Sequence, residues 1–222
     1  MGVAYGALGG SLLDLPLPSC ALAGGLCGLS GMLPDLDSDT SIPVRETVAF
    51  SAAVVPMLMI RRFEALGLSH ESIALAGAAV YLFVRFGFGT FLRKSTVHRG
   101  MFHSLPAAVI AGLLAFLICH DDDSTVRVFL AAAVFAGYLS HLLLDEYYSI
   151  GRTRGAWRLK RSFGTAVKLH GGNVASNAAA YGSLILLGVL ALKDMTVVEA
   201  PQQARTPGPP LTAEIRTGER TR

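Results

Sequence analysis

The chain has 222 residues, of which 52% are hydrophobic and only 16% charged, whereas soluble domains usually carry about a quarter charged residues. That deficit excludes an ordinary water-soluble domain and points to lipid as the solvent. The formal net charge of +3 is small, so no nucleic-acid partner is expected, and Cys20, Cys27 and Cys119 all sit in apolar runs, as buried hydrophobes rather than a disulfide or zinc framework.

Met1 to Leu13 is small, glycine-rich and apolar without a Lys or Arg, so it lacks the positive lead-in of a secretory signal. Six stretches then approach the ~20 apolar residues that a bilayer core demands. They run over 17–33, 48–60, 72–92, 104–119, 126–144 and 174–192. Pro34 closes the first, Arg61-Arg62 the second, Arg93-Lys94 the third, and His120 with Asp121–Asp123 the fourth. Ala76, Gly77, Ala78 and Ala79 offer the small surface that membrane helices use for close approach. The expected fold is all-α: a multi-pass transmembrane bundle of about six helices over 1–195. A tail at 196–222, poor in apolar residues and rich in proline, is expected to be disordered.

Positive charge sorts the connections into two sets. One side receives Arg45, Arg93, Lys94, Arg99, Arg152, Arg154, Arg158, Lys160, Arg161 and Lys168. The other receives Arg61, Arg62 and Arg127, with Lys193 opening the tail. The positive-inside rule assigns the first set to the cytoplasm. Tyr147, Tyr148 and Trp157 read as interfacial aromatics, and Arg85 stands inside the third span.

Three polar clusters fall at the cytoplasmic ends of these spans. They are Pro34-Asp35-Leu36-Asp37-Ser38-Asp39, His98-Arg99-Gly100-Met101-Phe102-His103-Ser104, and His141-Leu-Leu-Leu-Asp145. His141 and Asp145 are four apart and share a helix face. Asp35 and Asp37 are two apart, so an extended turn aims both carboxylates one way. His98 and His103 straddle Gly100, where the backbone can fold back. Singly, each cluster has a plain structural reading as a helix terminator, a headgroup-level loop or a satisfied histidine. Ionisable groups embedded in a membrane are costly, and their shared side favours one metal site. Imidazoles with carboxylates suit Zn, Mn or Fe, as one ion or two. A calcium loop from Asp35 to Glu46 lacks the required glycine, having Thr40 at its sixth position. His70 and His120 fall on the opposite side, His170 matches no pair spacing, and Asp14 reads as a turn residue.

At Gly31-Met-Leu-Pro-Asp-Leu-Asp37, His98-Arg-Gly-Met-Phe-His-Ser104 and Gly137-Tyr-Leu-Ser-His-Leu-Leu-Leu-Asp145 the chain resembles the LexA-regulated, inner-membrane-associated metal-dependent hydrolases, the YdjM-like family. The resemblance runs from about Gly2 to Leu192. It implies a bacterial inner-membrane protein with a metal site at Asp35, Asp37, His98, His103, His141 and Asp145. Family members commonly begin with a histidine before a small-residue apolar helix. Here Met1-Gly2 already lies within such a helix and no histidine precedes it, so the expectation is either that this ligand is absent or that sequence upstream adds a ligand and a span.

The enzyme expected on these grounds is a metal-dependent hydrolase at the cytoplasmic membrane face. Asp39 is the candidate general base, and Arg99, Arg93 and Lys94 stand ready to neutralise a phosphate. Membrane lipids are the expected surroundings, and a lipid-linked phosphoester is the expected substrate. The alternative is a non-catalytic metal-binding sensor or transporter. Transport needs ionisable groups along a midplane path, where the sequence offers little besides Arg85.

Overall fold

A computed structural model describes residues 1–37, 42–88, 103–153, 156–159, 168–171 and 173–203. Helices α1 (Gly2–Leu12) and α2 (Leu17–Ser30) form a hairpin, and a 3-10 turn over Pro34–Asp37 follows. Then come α3 (Ile42–Leu58), the short α4 (Ile60–Ala65) and α5 (His70–Leu82), which continues as π-helix through Phe88. The chain goes on to α6 (Leu105–Ile118), α7 (Ser124–Ser149), strands β1 (Ile150–Thr153) and β2 (Ala156–Leu159), and α8 (Val174–Gln203).

Local sequence explains the boundaries. Pro56 lies inside α3 and has no N–H to give the preceding turn; α3 ends two residues later and the chain resumes as α4 after Met59. Gly67 adopts φ +73° and donates to Glu64 O, while Leu68 N–H reaches Phe63 O, a glycine-led stop that satisfies the last carbonyls. Ser69 caps α5 and Ser104 caps α6, each hydroxyl accepting from a backbone N–H three residues on. Asp14, at φ 50°, turns the chain between α1 and α2 as expected.

Helices α2, α6 and α7 enclose the core, in which Ala23, Leu26, Cys27, Ala115, Cys119, Phe129, Leu130 and Val134 are buried. All three cysteines are free and buried, in line with their apolar settings. Helix α1 joins this core through Tyr5, which stacks on Phe129 at 4.8 Å and donates its hydroxyl hydrogen to Phe129 O at 3.0 Å. Close helix approach falls on glycines other than the predicted Ala76–Ala79 stretch. A Cβ on Gly6 would stand 2.5 Å from Cys20 O, whereas Gly77 has only an ordinary contact to Pro56. No residue of α5 is buried.

Among the described residues, two helices are long and apolar enough to cross a membrane, Ser124–Ser149 and the Val174–Met195 portion of α8; Leu17–Ser30 and Leu105–Ile118 are shorter apolar helices. Large apolar side chains face outward on α3, α5 and α8, among them Phe50, Met57, Leu75, Phe83, Ile185, Leu186 and Leu192. Such a surface is adverse in water and suited to lipid.

The fold is all-α as expected, with one short antiparallel pair among the described residues, β1 and β2, in which Ile150 stands opposite Leu159 and Arg152 opposite Trp157. Ile, Thr and Trp in this stretch favour an extended backbone. The last helix runs to Gln203. Once formed, a helix extends at little cost through residues that tolerate it. Residues 204–222 lie outside those described.

Candidate metal centre

The site is assembled from three elements remote in sequence. Helix α2 ends at Ser30, and Met32 and Leu33 donate to Leu29 O and Ser30 O to turn the chain. Pro34, fully buried, starts the 3-10 turn that carries Asp35. This turn meets α7 because Gly137 has no side chain. A Cβ there would collide with the carbonyl of Cys27 and the hydroxyl of Ser30. His141 follows Gly137 by about one helical turn, and Asp145 follows His141 by another. His103 comes from the segment entering α6, next to the buried cap Ser104.

His141 Nε2 lies 3.5 Å from Asp35 Oδ1 and 3.3 Å from Asp145 Oδ2. His103 Nε2 lies 3.5 Å from the same Asp145 oxygen. The two imidazole rings stand 5.9 Å apart, tilted 61°. One ligand atom each from Asp35, His103 and His141 falls within 4.8 Å of the others. His141 is 17% exposed, and its Nε2 is buried without a hydrogen-bond partner among the described residues. A buried nitrogen beside two carboxylate oxygens, yet not hydrogen-bonded to them, is costly unless something else engages it.

A cation fits that description. Ligand bonds of about 2.1 Å in tetrahedral geometry set donor atoms about 3.4 Å apart, close to the 3.5, 3.3 and 3.5 Å of the His141–Asp35, His141–Asp145 and His103–Asp145 pairs. Two imidazoles with two carboxylates form a donor set for Zn, Mn or Fe.

Of the sequence candidates, Asp35, His103, His141 and Asp145 are thus brought together. Asp37 closes the same 3-10 turn by its backbone. His98, Arg99 and Asp39 lie outside the described residues, as do Arg93 and Lys94. His170 is exposed, in the segment preceding α8. Around the site, α7 presents Leu143, Leu144, Tyr147 and Tyr148, all exposed. Leu144 and Tyr148 share the helical stripe of His141 and Asp145.

A second polar cluster, not foreseen as a unit, occupies the other end of α7. Asp194 accepts from Arg62 at 2.5 and 3.0 Å and also from Arg127. Arg62 further donates to Leu117 O at 3.1 and 2.7 Å, and Arg127 to Phe116 O at 3.3 Å. Those carbonyls belong to the last turn of α6, where helix geometry leaves them without an internal donor. Arg127 is 1% exposed, with its guanidinium 4.2 Å from the Phe116 ring centroid. Arg61 pairs with Asp121 nearby at 3.1 Å. This clasp unites α4, α6, α7 and α8. Burial, then the charges of Arg62 and Arg127, push the pKa of His120 down. The available signal was Arg127, a charge in the first turn of an apolar helix, which must find a partner. Arg85 has its own, resting 5.5 Å from the Phe86 ring centroid.

From Arg127 to His141 is fourteen residues, about 21 Å along the α7 axis at 1.5 Å per residue. The two polar groups therefore sit toward opposite ends of this helix. The residues that charge sorting put on one side, Arg61, Arg62 and Arg127, gather at one end, and Asp35, His103, His141 and Asp145 gather at the other.

The model of a family described as the YdjM inner membrane protein matches residues 1–190. No curated protein and no solved structure matches the chain.

Proposed function

The chain belongs to the YdjM inner membrane protein family, and from that premise we propose that it is a multi-pass, metal-dependent hydrolase. Its site faces the cytoplasm and acts on a lipid-linked phosphoester. The observation that carries this reading is the convergence of Asp35, His103 and His141 from three separate elements to within 4.8 Å. The orphaned Nε2 of His141 supports a cation as its occupant. Asp35, His103, His141 and Asp145 would hold it, with Asp37 and His98 as the further ligands that the sequence pattern suggests.

A divalent ion held there would supply Lewis acidity and make water a better nucleophile near neutral pH. The chain's own groups do the rest. Asp145 sets its carboxylate beside the Nε2 of both histidines, where it would complete the donor set. Asp39 is the candidate to take a proton from water, and Arg99, with Arg93 and Lys94, to bind the phosphate. Leu144 and Tyr148, exposed on the same stripe, form an apolar rim suited to an acyl or isoprenoid chain whose headgroup meets the metal. Sidedness follows from the excess of Lys and Arg among the connections at the site's end.

The test is metal content per chain for detergent-purified protein, beside a His103→Ala/His141→Ala double variant. One or two equivalents of transition metal, lost in the variant, are expected. Phosphate release from phospholipids and lipid phosphates by the loaded protein is expected next. Metal without any lipid hydrolysis would favour the sensor reading, and no metal after reconstitution would end both.

A further inference from the structure

Residues Lys168–Gly171 run between the metal centre and the start of α8, and they are fastened to both. At the metal end, Lys168 pairs in parallel with Ser104, and Leu105 N–H donates to Lys168 O at 3.2 Å. Ser104 is buried and adjoins His103. At the other end, the Asn177 side chain closes a ring on one residue: Gly171 N–H donates to its Oδ1 at 2.8 Å, and its Nδ2 donates to Gly171 O at 2.8 Å. About one turn further, Tyr181 donates its hydroxyl hydrogen to Leu169 O at 2.7 Å. The start of α8 is itself fixed, since Asn173 Oδ1 accepts from Ala175 N–H at 2.9 Å and Ser176 N–H at 3.3 Å.

We infer that Asn177, assisted by Tyr181, is a positioning residue for His103. It sets the Lys168–Gly171 segment against Ser104 and so holds the His103 imidazole in reach of Asp145 and His141. The chemistry explains the residue type. A primary amide offers both a donor and an acceptor in one plane, which matches the N–H and C=O of a single glycine. An aspartate keeps the acceptor and loses the donor; an alanine loses both. Groups that orient metal ligands typically contribute about ten- to a hundredfold in metal affinity. Helix α8 thereby acquires a role in a site to which it gives no ligand. The inference rests on the metal reading above.

The experiment is a Co²⁺ titration of the full chain in detergent, followed by visible absorption. It compares the parent with Asn177→Ala, Asn177→Asp, Tyr181→Phe and, at the far end of the same helix, Asp194→Asn. In parallel, metal-free samples are treated with diethyl pyrocarbonate, and modification of His103 is followed by peptide mass spectrometry. Asn177→Ala is expected to bind Co²⁺ about ten- to a hundredfold more weakly, with an altered spectrum and faster His103 modification. Asn177→Asp should fall between it and the parent, and Tyr181→Phe should shift the same way by less. Asp194→Asn should keep the parental spectrum although it loosens the helix. Parental affinity, spectrum and modification rate in both Asn177→Ala and Tyr181→Phe would overturn the inference. If the parent binds no Co²⁺ but Asn177→Ala still speeds His103 modification, the positioning role stands and the metal reading falls. If Asn177→Ala does not fold, Tyr181→Phe decides, because it removes one hydroxyl and leaves the amide ring in place.

Discussion

Gly137 of α7 lies directly against the backbone carbonyl of Cys27 in α2, with no room for even a methyl group between them. This contact brings the turn carrying Asp35 beside His141, one helical turn further along α7. Packing of the two helices and geometry of the site are therefore a single arrangement.

Replacing Gly137 with alanine is expected to force α2 and α7 apart and destabilise the protein by about 1–3 kcal/mol, the usual cost of overpacking. Metal content should fall with it, because Asp35 moves away from His141. Gly25, with nothing within 4 Å of an added Cβ, is the control: Gly25→Ala should leave both unchanged. Thermal unfolding in detergent and metal analysis of the folded fraction check the pair.

His141→Ala removes the most buried of the assembled ligands and is expected to weaken metal binding by more than about a hundredfold. Asp145→Asn keeps the shape but removes the charge shared by both histidines, with an expected loss of about tenfold. Competitive titration against a chelator of known affinity measures both. Equal, negligible effects would dissolve the proposed centre.

Asp194→Asn leaves Arg62 and Arg127 without their common carboxylate. Arg127 is almost fully buried, and an uncompensated charge there costs about 3 kcal/mol. The exposed Arg61–Asp121 pair should matter far less, with Arg61→Ala costing at most about 1 kcal/mol. Denaturant titration of the two variants in one detergent tests the contrast, and neither should lose metal.

Burial and the neighbouring arginines hold His120 below its ordinary pKa of 6.5. The unfolded chain therefore binds a proton that the folded chain resists, so this residue's contribution is full above about pH 6.5 and is lost as the pH falls toward the lower folded value. His120→Gln should flatten that part of the profile. The measurement is unfolding midpoint against pH between about 7.5 and 5 for both proteins, and parallel curves would deny His120 the role.

Part of this arrangement was legible from residue types. The spacing of His141 and Asp145 on one helix face needs no tertiary knowledge, and the common side of Asp35, His103 and His141 followed from alternating spans. What brings Asp35 to the histidines was not legible, because Gly137 inside a helix looks like any membrane glycine until its neighbour is known. Apolar runs and helices do not coincide: α3 carries Pro56 and ends at Leu58, and Gly24 of α2 packs closely against Gly2. The clasp escaped because Arg62, Arg127 and Asp194 come from three helices remote in sequence, and nothing in their spacing pairs them. The hairpin Ile150–Leu159 was hidden by reading its arginines only as topology signals.

Helix α8 is anchored by Asn177 and Tyr181 near its start and by Asp194 further on, while only 6% of its long apolar window is buried. Between those anchors Ala191 is buried, but Ile185, Leu186, Val189, Leu190 and Leu192 face outward. Exchange among Leu, Ile, Val and Ala there should carry little penalty, so natural variation should accumulate in this stretch while the anchors stay fixed.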